Sequence, residues 1–310
     1  MPRWSWADVE IRGVAIEDTF AEAFTMRVSR VVITARSPRW AREAALKMTG
    51  FATSVIGCKC EAGIERELAP DETPDNRPGM SVLLLTMSKD DLPVRLIERV
   101  GQTILTCPTT ACFDGLPEAP DRVGVGSALR VFGDGFQGSK MVGGRRFWRI
   151  PVMEGEFLVE DKFGLQKGIG GGNFLILATS ADAALAAAEA AVDAMAGLPG
   201  VILPFPGGVV RSGSKVGSRR TKGMIASTND AFCPTLRAVT ASALPESVNS
   251  VLEIVLDGVD APAISRAMRV GIDAACRQGV VGITAGNYGG KLGPHHFHLR
   301  QIMSGDGPAK

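Results

Sequence analysis

Short apolar runs alternate with amphipathic stretches along this chain. "RVVITA" (30–35), "FATSVIGC" (51–58), "SVLLLTM" (81–87) and "GSALRVFG" (126–133) have the length and composition of strands in the first half. Between them, 38–48 and 92–105 repeat apolar residues at helical spacing, and Ser37 is placed as the N-cap of the first helix. In the second half, "NFLILA" (173–178), "GVILPFP" (200–206), "SVLEIVL" (250–256) and "VVGITAG" (280–286) read as strands, with helices over 181–196 and 261–276.

The order β-α-β-β-α-β therefore occurs twice. Two stretches support a duplication. "IEDTFAEAFTMRVSRVVITA" (16–35) and "VEDKFGLQKGIGGGNFLILA" (159–178) align without a gap, each with Glu-Asp-x-Phe ahead of an aliphatic strand ending in Ala. "SVLLLTMSKDDLPVRLIERVG" (81–101) resembles "SVLEIVLDGVDAPAISRAMRVG" (250–271) in the same relative order. The expected fold class is α+β: two duplicated ferredoxin-like lobes, 1–150 and 151–310, with long inserts at 61–79 and 207–245. The second insert holds "GGVVRSGSKVGSRRTKG", basic and rich in Gly and Ser, suited to wrapping an anionic ligand.

Composition narrows the function. Thirty-four Lys and Arg stand against 33 Asp and Glu, a net charge of +1, which argues against broad nucleic-acid binding. Six cysteines in 310 residues are no disulfide framework, so a cytoplasmic location is expected. The Ala-rich run 181–197 is interrupted by Asp182, Glu189 and Asp193 and reads as a surface helix, not a membrane span.

Candidate chemistry is sparse. "GIGGGNF" (168–174) looks at first like a phosphate cradle, but it leads into a strand, where no helix N-terminus would face a phosphate. Cys58 and Cys60, and Cys107 and Cys112, lack zinc-site spacing and read as small core residues. Alternation puts His296 and His298 on one face of a surface or edge strand, with no metal site expected. Glu253 stands out: it sits in an otherwise apolar strand, where the first half has Leu84. It belongs either to a solvated face or to a buried functional position, and burial would fit it for acid–base work near neutrality. Two polar loops, "ASTNDAFCPT" (226–235) and "TCPTTACFD" (106–114), offer hydroxyl and amide donors or are side-chain-capped turns.

"EIRGVAIEDTFAEAF", "TGFATSVIGC", "DETPDNRPG", "VMEGEFLVEDKFG", "PFPGGVV", "STNDAFCPT", "SRAMRVG" and "AGNYGGKLG" together resemble the formylmethanofuran–tetrahydromethanopterin formyltransferases of methanogenic archaea and methylotrophic bacteria, over about 10–298. The resemblance implies two ferredoxin-like lobes and formyl transfer between N5 of tetrahydromethanopterin and the amine of methanofuran. It implies no tightly bound cofactor, both carriers being substrates. It also implies a homo-oligomer, tetrameric in archaeal members, or a complex with formylmethanofuran hydrolase subunits, in bacterial formaldehyde oxidation. The strand context of the family's glutamate matches Glu253, expected as the catalytic acid–base. Ser227, Thr228, Asn229, Thr109 and Thr110 are expected donors to substrate, and Lys215 a contact for an anionic carrier tail. The alternative is a non-catalytic pterin-binding or scaffold subunit. The basic "VGSRRTKGM" and the tail "GPHHFHLR" depart from the archaeal pattern and bear on carrier variant and oligomer.

Overall fold

The computed structural model of the chain describes residues 6–305. It is a mixed α+β protein that divides into two compact units. One contains the described parts of Met1–Thr25 and Phe205–Lys310 together with Ile169–Ala196; the other contains Met26–Gly168 and Gly197–Pro204. Two of the chain's four crossings between the units fall within the long strands Phe20–Thr34 and Phe163–Ala178. Among the described residues no helix is long and apolar enough to cross a membrane.

In the unit built on Met26–Gly168, the 20–34 strand pairs antiparallel with Gly79–Thr86 on one side and Ala111–Asp114 on the other. Glu61–Leu68 extends the sheet beside Gly79–Thr86, and Gly155–Glu160 continues it, parallel, beside Ala111–Asp114. Alternation along the strands sends Val31, Ile33, Val82 and Leu84 to the face covered by the helices Pro38–Thr49 and Asp91–Arg99. Ala44, Met48, Leu92 and Leu96 meet them there.

Three expectations for this half are corrected. The 51–58 segment is not a strand: Ser54 accepts from Ile56 N at 3.3 Å and opens a single helical turn, Val55–Cys58. The strand is Glu61–Leu68, inside the segment expected to be an insert. Its charges hid it, because Glu65 is buried and neutralised by two Arg30 hydrogen bonds of 2.7 Å. The 126–133 segment is helical too, Val125–Leu129 followed by a 3-10 turn, and the strand in its place is Ala111–Asp114 within the polar 106–114 run. The 92–105 helix is α-helical over Asp91–Arg99 and widens into a π turn at Val100–Ile104. Ser37 occupies the N-cap position without a side-chain bond.

In the other unit the 163–178 strand pairs antiparallel with Ser250–Gly258 and with Val280–Thr284. Val280–Thr284 pairs parallel with Val14–Glu17. Phe174, Ile176, Ile254, Leu256 and Ile283 are fully buried. The helices Ala181–Met195 and Ala261–Ala275 start at Ser180 and Asp260, whose side chains accept from Ala183 N and Ala263 N. The other face of the sheet carries Leu175, Leu177 and Val251, and the 207–248 segment covers it with Phe232, Leu244 and Val248.

The glycine run lies inside the 163–178 strand rather than ahead of one. Register shifts between Ile169↔Gly258 and Gly172↔Leu256, so three steps on one strand face two on its partner. This is a bulge, and Gly171 carries it at φ +86°. Gly171 N donates to Asp257 Oδ1 at 3.0 Å, and a Cβ on Gly172 would stand 2.8 Å from Ile264 Cγ2. Gly171→Val forces a β-branched residue into a left-handed backbone and should destabilise the protein by about 1–2 kcal/mol in denaturant titration. Unchanged stability would show that the bulge does not need glycine.

Candidate active site

Glu253 lies on the sheet face opposite the helices, in a row with Leu175 and Thr284 across three strands. Its own backbone is bonded outward: Val210 N donates to Glu253 O at 2.7 Å and Glu253 N to Val210 O at 3.0 Å. That bridge stitches the start of the 207–245 segment to the sheet. The side chain is half-buried, and among the described residues no donor or cation meets its carboxyl. Burial alone pushes its pKa up to about 7. At the end of the same row Glu17 is also raised by burial, partly countered by the hydroxyl of Thr284.

The loop residues expected to bind substrate fold onto this unit. Lys215–Val216 and Ala226–Ser227 form a two-residue ribbon. Ser227 Oγ donates to Gly217 O at 2.6 Å, so its proton is engaged while its lone pairs stay free. Lys215 is ion-paired with Asp230, and Arg219 stands 3.6 Å from the same carboxylate. The Lys215 hydrogen bond holds the Asp230 carboxyl below its ordinary range. Asn229 O accepts from Phe232 N at 3.0 Å and so shapes the turn that delivers Phe232 to the Glu253 face. Thr228 is exposed, and the side chains of Thr228 and Asn229 have no protein partner among the described residues.

Thr109 and Thr110 belong to the other unit. Thr110 is buried, and its hydroxyl donates to Ile104 O at 2.6 Å, closing the π turn. Thr109, at φ +64°, receives Arg36 N on its hydroxyl and donates its N–H to Glu154 at 2.8 Å. It lines a cavity of about 200 Å³ with Arg36, Arg77 and Glu154. His296 and His298 share a face of the strand His295–His298, both against Phe20, with ring centroids 4.7 and 5.2 Å away. All six cysteines are free, and among the described residues no group of three or more His, Cys, Asp or Glu side chains is placed to hold a metal.

One part of the site was not foreseen from the sequence. The glycine-rich loop 286–293 bends beside Asn173, whose Oδ1 accepts from Gly286 N at 2.6 Å. It carries Tyr288, the chain's single tyrosine, whose pKa is raised by burial first and then by the carboxylates of Glu253 and Glu22. A lone tyrosine among four glycines in eight residues was the available signal.

The site thus joins a half-buried carboxyl whose pKa is raised by burial to a covering loop whose Thr228 and Asn229 side chains have no protein partner among the described residues. The chain belongs to the formylmethanofuran–tetrahydromethanopterin formyltransferase family, an enzyme family. The family model of that description matches residues 9–152, and the model described as the proximal lobe of the same enzyme matches 155–302. A formylmethanofuran–tetrahydromethanopterin formyltransferase of Methylobacillus flagellatus is 60% identical over 301 residues, covering 95% of this chain and 99% of that protein. Among solved structures, the formyltransferase/hydrolase complex of Methylorubrum extorquens bound to methylofuran contains a chain 52% identical, with a TM-score of 0.93 over 96% of this chain and 99% of that one. The formyltransferase of Methanosarcina barkeri matches at 50% identity and TM-score 0.92, over 95% and 100% of the two chains.

Glu253 makes stability depend on pH. Its folded pKa of about 7 lies above the ordinary 4.5, so between those values the folded state holds a proton that the unfolded state has released. The associated stability is fully present below about 4.5 and is lost as pH rises through 7. Glu253→Gln should melt like wild type at pH ~5 and above it at pH ~8, by on the order of 2 kcal/mol for a half-buried group. Equal melting at both pH values would show that the carboxyl is not displaced.

Proposed function

We propose that this protein moves a formyl group between N5 of tetrahydromethanopterin and the amine of methanofuran, with Glu253 carrying the proton. The observation that supports this most is the Glu253 carboxyl, half-buried and with its pKa raised to about 7 on the loop-covered face of a member of this family. The attacking amine adds to the formyl carbon and passes its proton to the Glu253 carboxylate. The carbonyl oxygen becomes an oxyanion. As the bond from carbon to the leaving nitrogen breaks, Glu253 returns the proton to that nitrogen. A pKa near 7 serves both transfers, since a group that must accept and then donate works best near ambient pH.

Asn229, Thr228 and Ser227 are the proposed polar contacts to the carriers, with Lys215 toward an anionic carrier tail. Lys215 is available for that contact only by sharing or leaving Asp230. Thr109, beside its cavity, is retained as a donor in the other polar loop, while the hydroxyl of Thr110 is engaged in its own turn. Neither carrier is a resident cofactor. A cytoplasmic homo-oligomer or a complex with hydrolase subunits is the proposed assembly, on the precedent of the Methylorubrum extorquens complex.

The element order also supports duplicated ferredoxin-like lobes over 1–150 and 151–310. Strand, helix, strand, strand, helix, strand runs through Phe20–Thr34, Pro38–Thr49, Glu61–Leu68, Gly79–Thr86, Asp91–Arg99 and Ala111–Asp114. It recurs through Phe163–Ala178, Ala181–Met195, Val201–Ile202, Ser250–Gly258, Ala261–Ala275 and Val280–Thr284.

Purified protein should transfer formyl between the two carriers in both directions. Glu253→Gln should lower kcat about 10²–10⁴-fold, the range expected for loss of a general acid–base. The wild-type profile should show an apparent pKa near 7 that the variant lacks. Tight pterin binding without turnover would sink the catalytic reading in favour of a binding subunit.

A further inference from the structure

We propose that Tyr288 donates its hydroxyl to the oxygen that becomes anionic during transfer, and that Glu22 is the positioning residue that sets it there. The inference rests on the formyl-transfer reading above and extends it to a residue pair on a different loop.

The loop 286–293 has almost no side chains with which to hold its shape, since Gly286, Gly289, Gly290 and Gly293 are half of it. One carboxylate organises it instead. Glu22 is 1% exposed, and its Oε2 accepts from Tyr288 N at 2.6 Å and Gly290 N at 2.9 Å. Its Oε1 accepts from Leu292 N and Gly293 N, both at 2.6 Å. Gly289 and Gly290 sit at φ +70° and +71°, a backbone that lets these N–H groups turn inward. A Cβ on Gly293 would stand 2.3 Å from Ala23 O, so the end of the loop lies flat against the strand that carries Glu22.

The start of the loop is fixed independently. Asn173 holds Gly286 by Oδ1 and Nδ2, and Asn287 Nδ2 donates to Thr19 Oγ1 and Phe20 O, each at 3.2 Å. Asn173 is two residues before Leu175, the direct neighbour of Glu253, and so lies on the same sheet face. Tyr288 leaves the loop between these two anchors. Its ring centroid is 6.3 Å from that of Phe24, with the two planes tilted by 49°. Tyr288 as a residue keeps 37% exposure, and its hydroxyl has no protein partner among the described residues. A phenol held by backbone bonds at its root, open at its tip and carried by a loop anchored on the sheet face of Glu253 is built to donate to a bound molecule. Burial, then Glu253 and Glu22, raise its pKa, which keeps it protonated as a donor.

The chain's single tyrosine makes the test direct, because tyrosinate ultraviolet absorbance reports Tyr288 alone. In the full-length protein, Tyr288→Phe should lower kcat about 10²–10³-fold with KM nearly unchanged, the loss typical of one oxyanion donor. Glu253→Gln and Glu22→Gln should each lower the phenol's titration midpoint, since each removes a negative charge that opposes phenolate. Glu22→Asp keeps the charge and should recover part of the kcat lost in Glu22→Gln. Wild-type kcat in Tyr288→Phe, with Glu253→Gln impaired, overturns the donor role and leaves the reaction intact. A phenol midpoint unmoved by Glu253→Gln overturns the juxtaposition. Wild-type protein without transfer removes the reading beneath the inference, and the donor role with it.

Discussion

A half-buried carboxyl with no partner among the described residues, on the face of an otherwise apolar strand, is the constraint around which this region is arranged. A helix laid over Glu253 would exclude water altogether and leave a charge with no compensation. The 207–248 segment covers the face instead, through separate apolar contacts from Phe232, Leu244 and Val248. The same segment carries a short ribbon, Lys215–Val216 with Ala226–Ser227, and a 3-10 turn over Asp230–Phe232. The carboxyl is therefore desolvated enough for its pKa to rise to about 7, yet it is half-buried rather than sealed. The Val210 bridge matters for the same reason: it satisfies the backbone of Glu253 at the place where the cover begins.

The glycine bulge belongs to this arrangement. An extra residue between Ile169 and Gly172 reverses which alternate positions face which side of the sheet. Beyond it, Asn173, Leu175 and Leu177 share a face, so the anchor of the 286–293 loop and the neighbour of Glu253 lie two residues apart. Ahead of it, the same strand serves the other unit with Phe163 and Leu165. A bare backbone at 170–172 lets the strand take up that extra residue while its pairing with Ser250–Gly258 continues on either side. The run read as a phosphate cradle at first sight is a register device.

Where hydrophobic pattern decided an element, the sequence was legible. The helix over Ala261–Ala275 has Asp260 as its cap, Pro262 in its first turn and a buried apolar stripe, and all of this is written locally. The strand Ser250–Gly258 and the anomaly of Glu253 inside it are local too. Glu61–Leu68 was not legible, because its buried Glu65 is made tolerable by Arg30, Ser81 and Gly200, three partners distant in sequence. The strand Ala111–Asp114 was hidden because four buried residues give no period to read. The polar loop around Ser227 could be recognised from composition. Its delivery to the Glu253 face by Phe232 depended on contacts no window of sequence contains.

Glu22 and Glu253 show how one residue type takes opposite states within a single unit. Burial acts on both carboxyls in the same direction, toward the neutral form. Glu22 receives four backbone N–H groups from Tyr288, Gly290, Leu292 and Gly293, and these hold it down to about 2, a permanent anion. Glu253 receives none among the described residues, and burial carries it up to about 7. The difference lies in the neighbouring backbone. A glycine-rich loop can turn several N–H groups toward one point, whereas the strand around Glu253 spends its N–H groups on pairing. The fixed anion is thus suited to organising structure and the titrating one to exchanging protons. A fold that needs both functions from glutamate obtains them by choosing where backbone donors are left to spare.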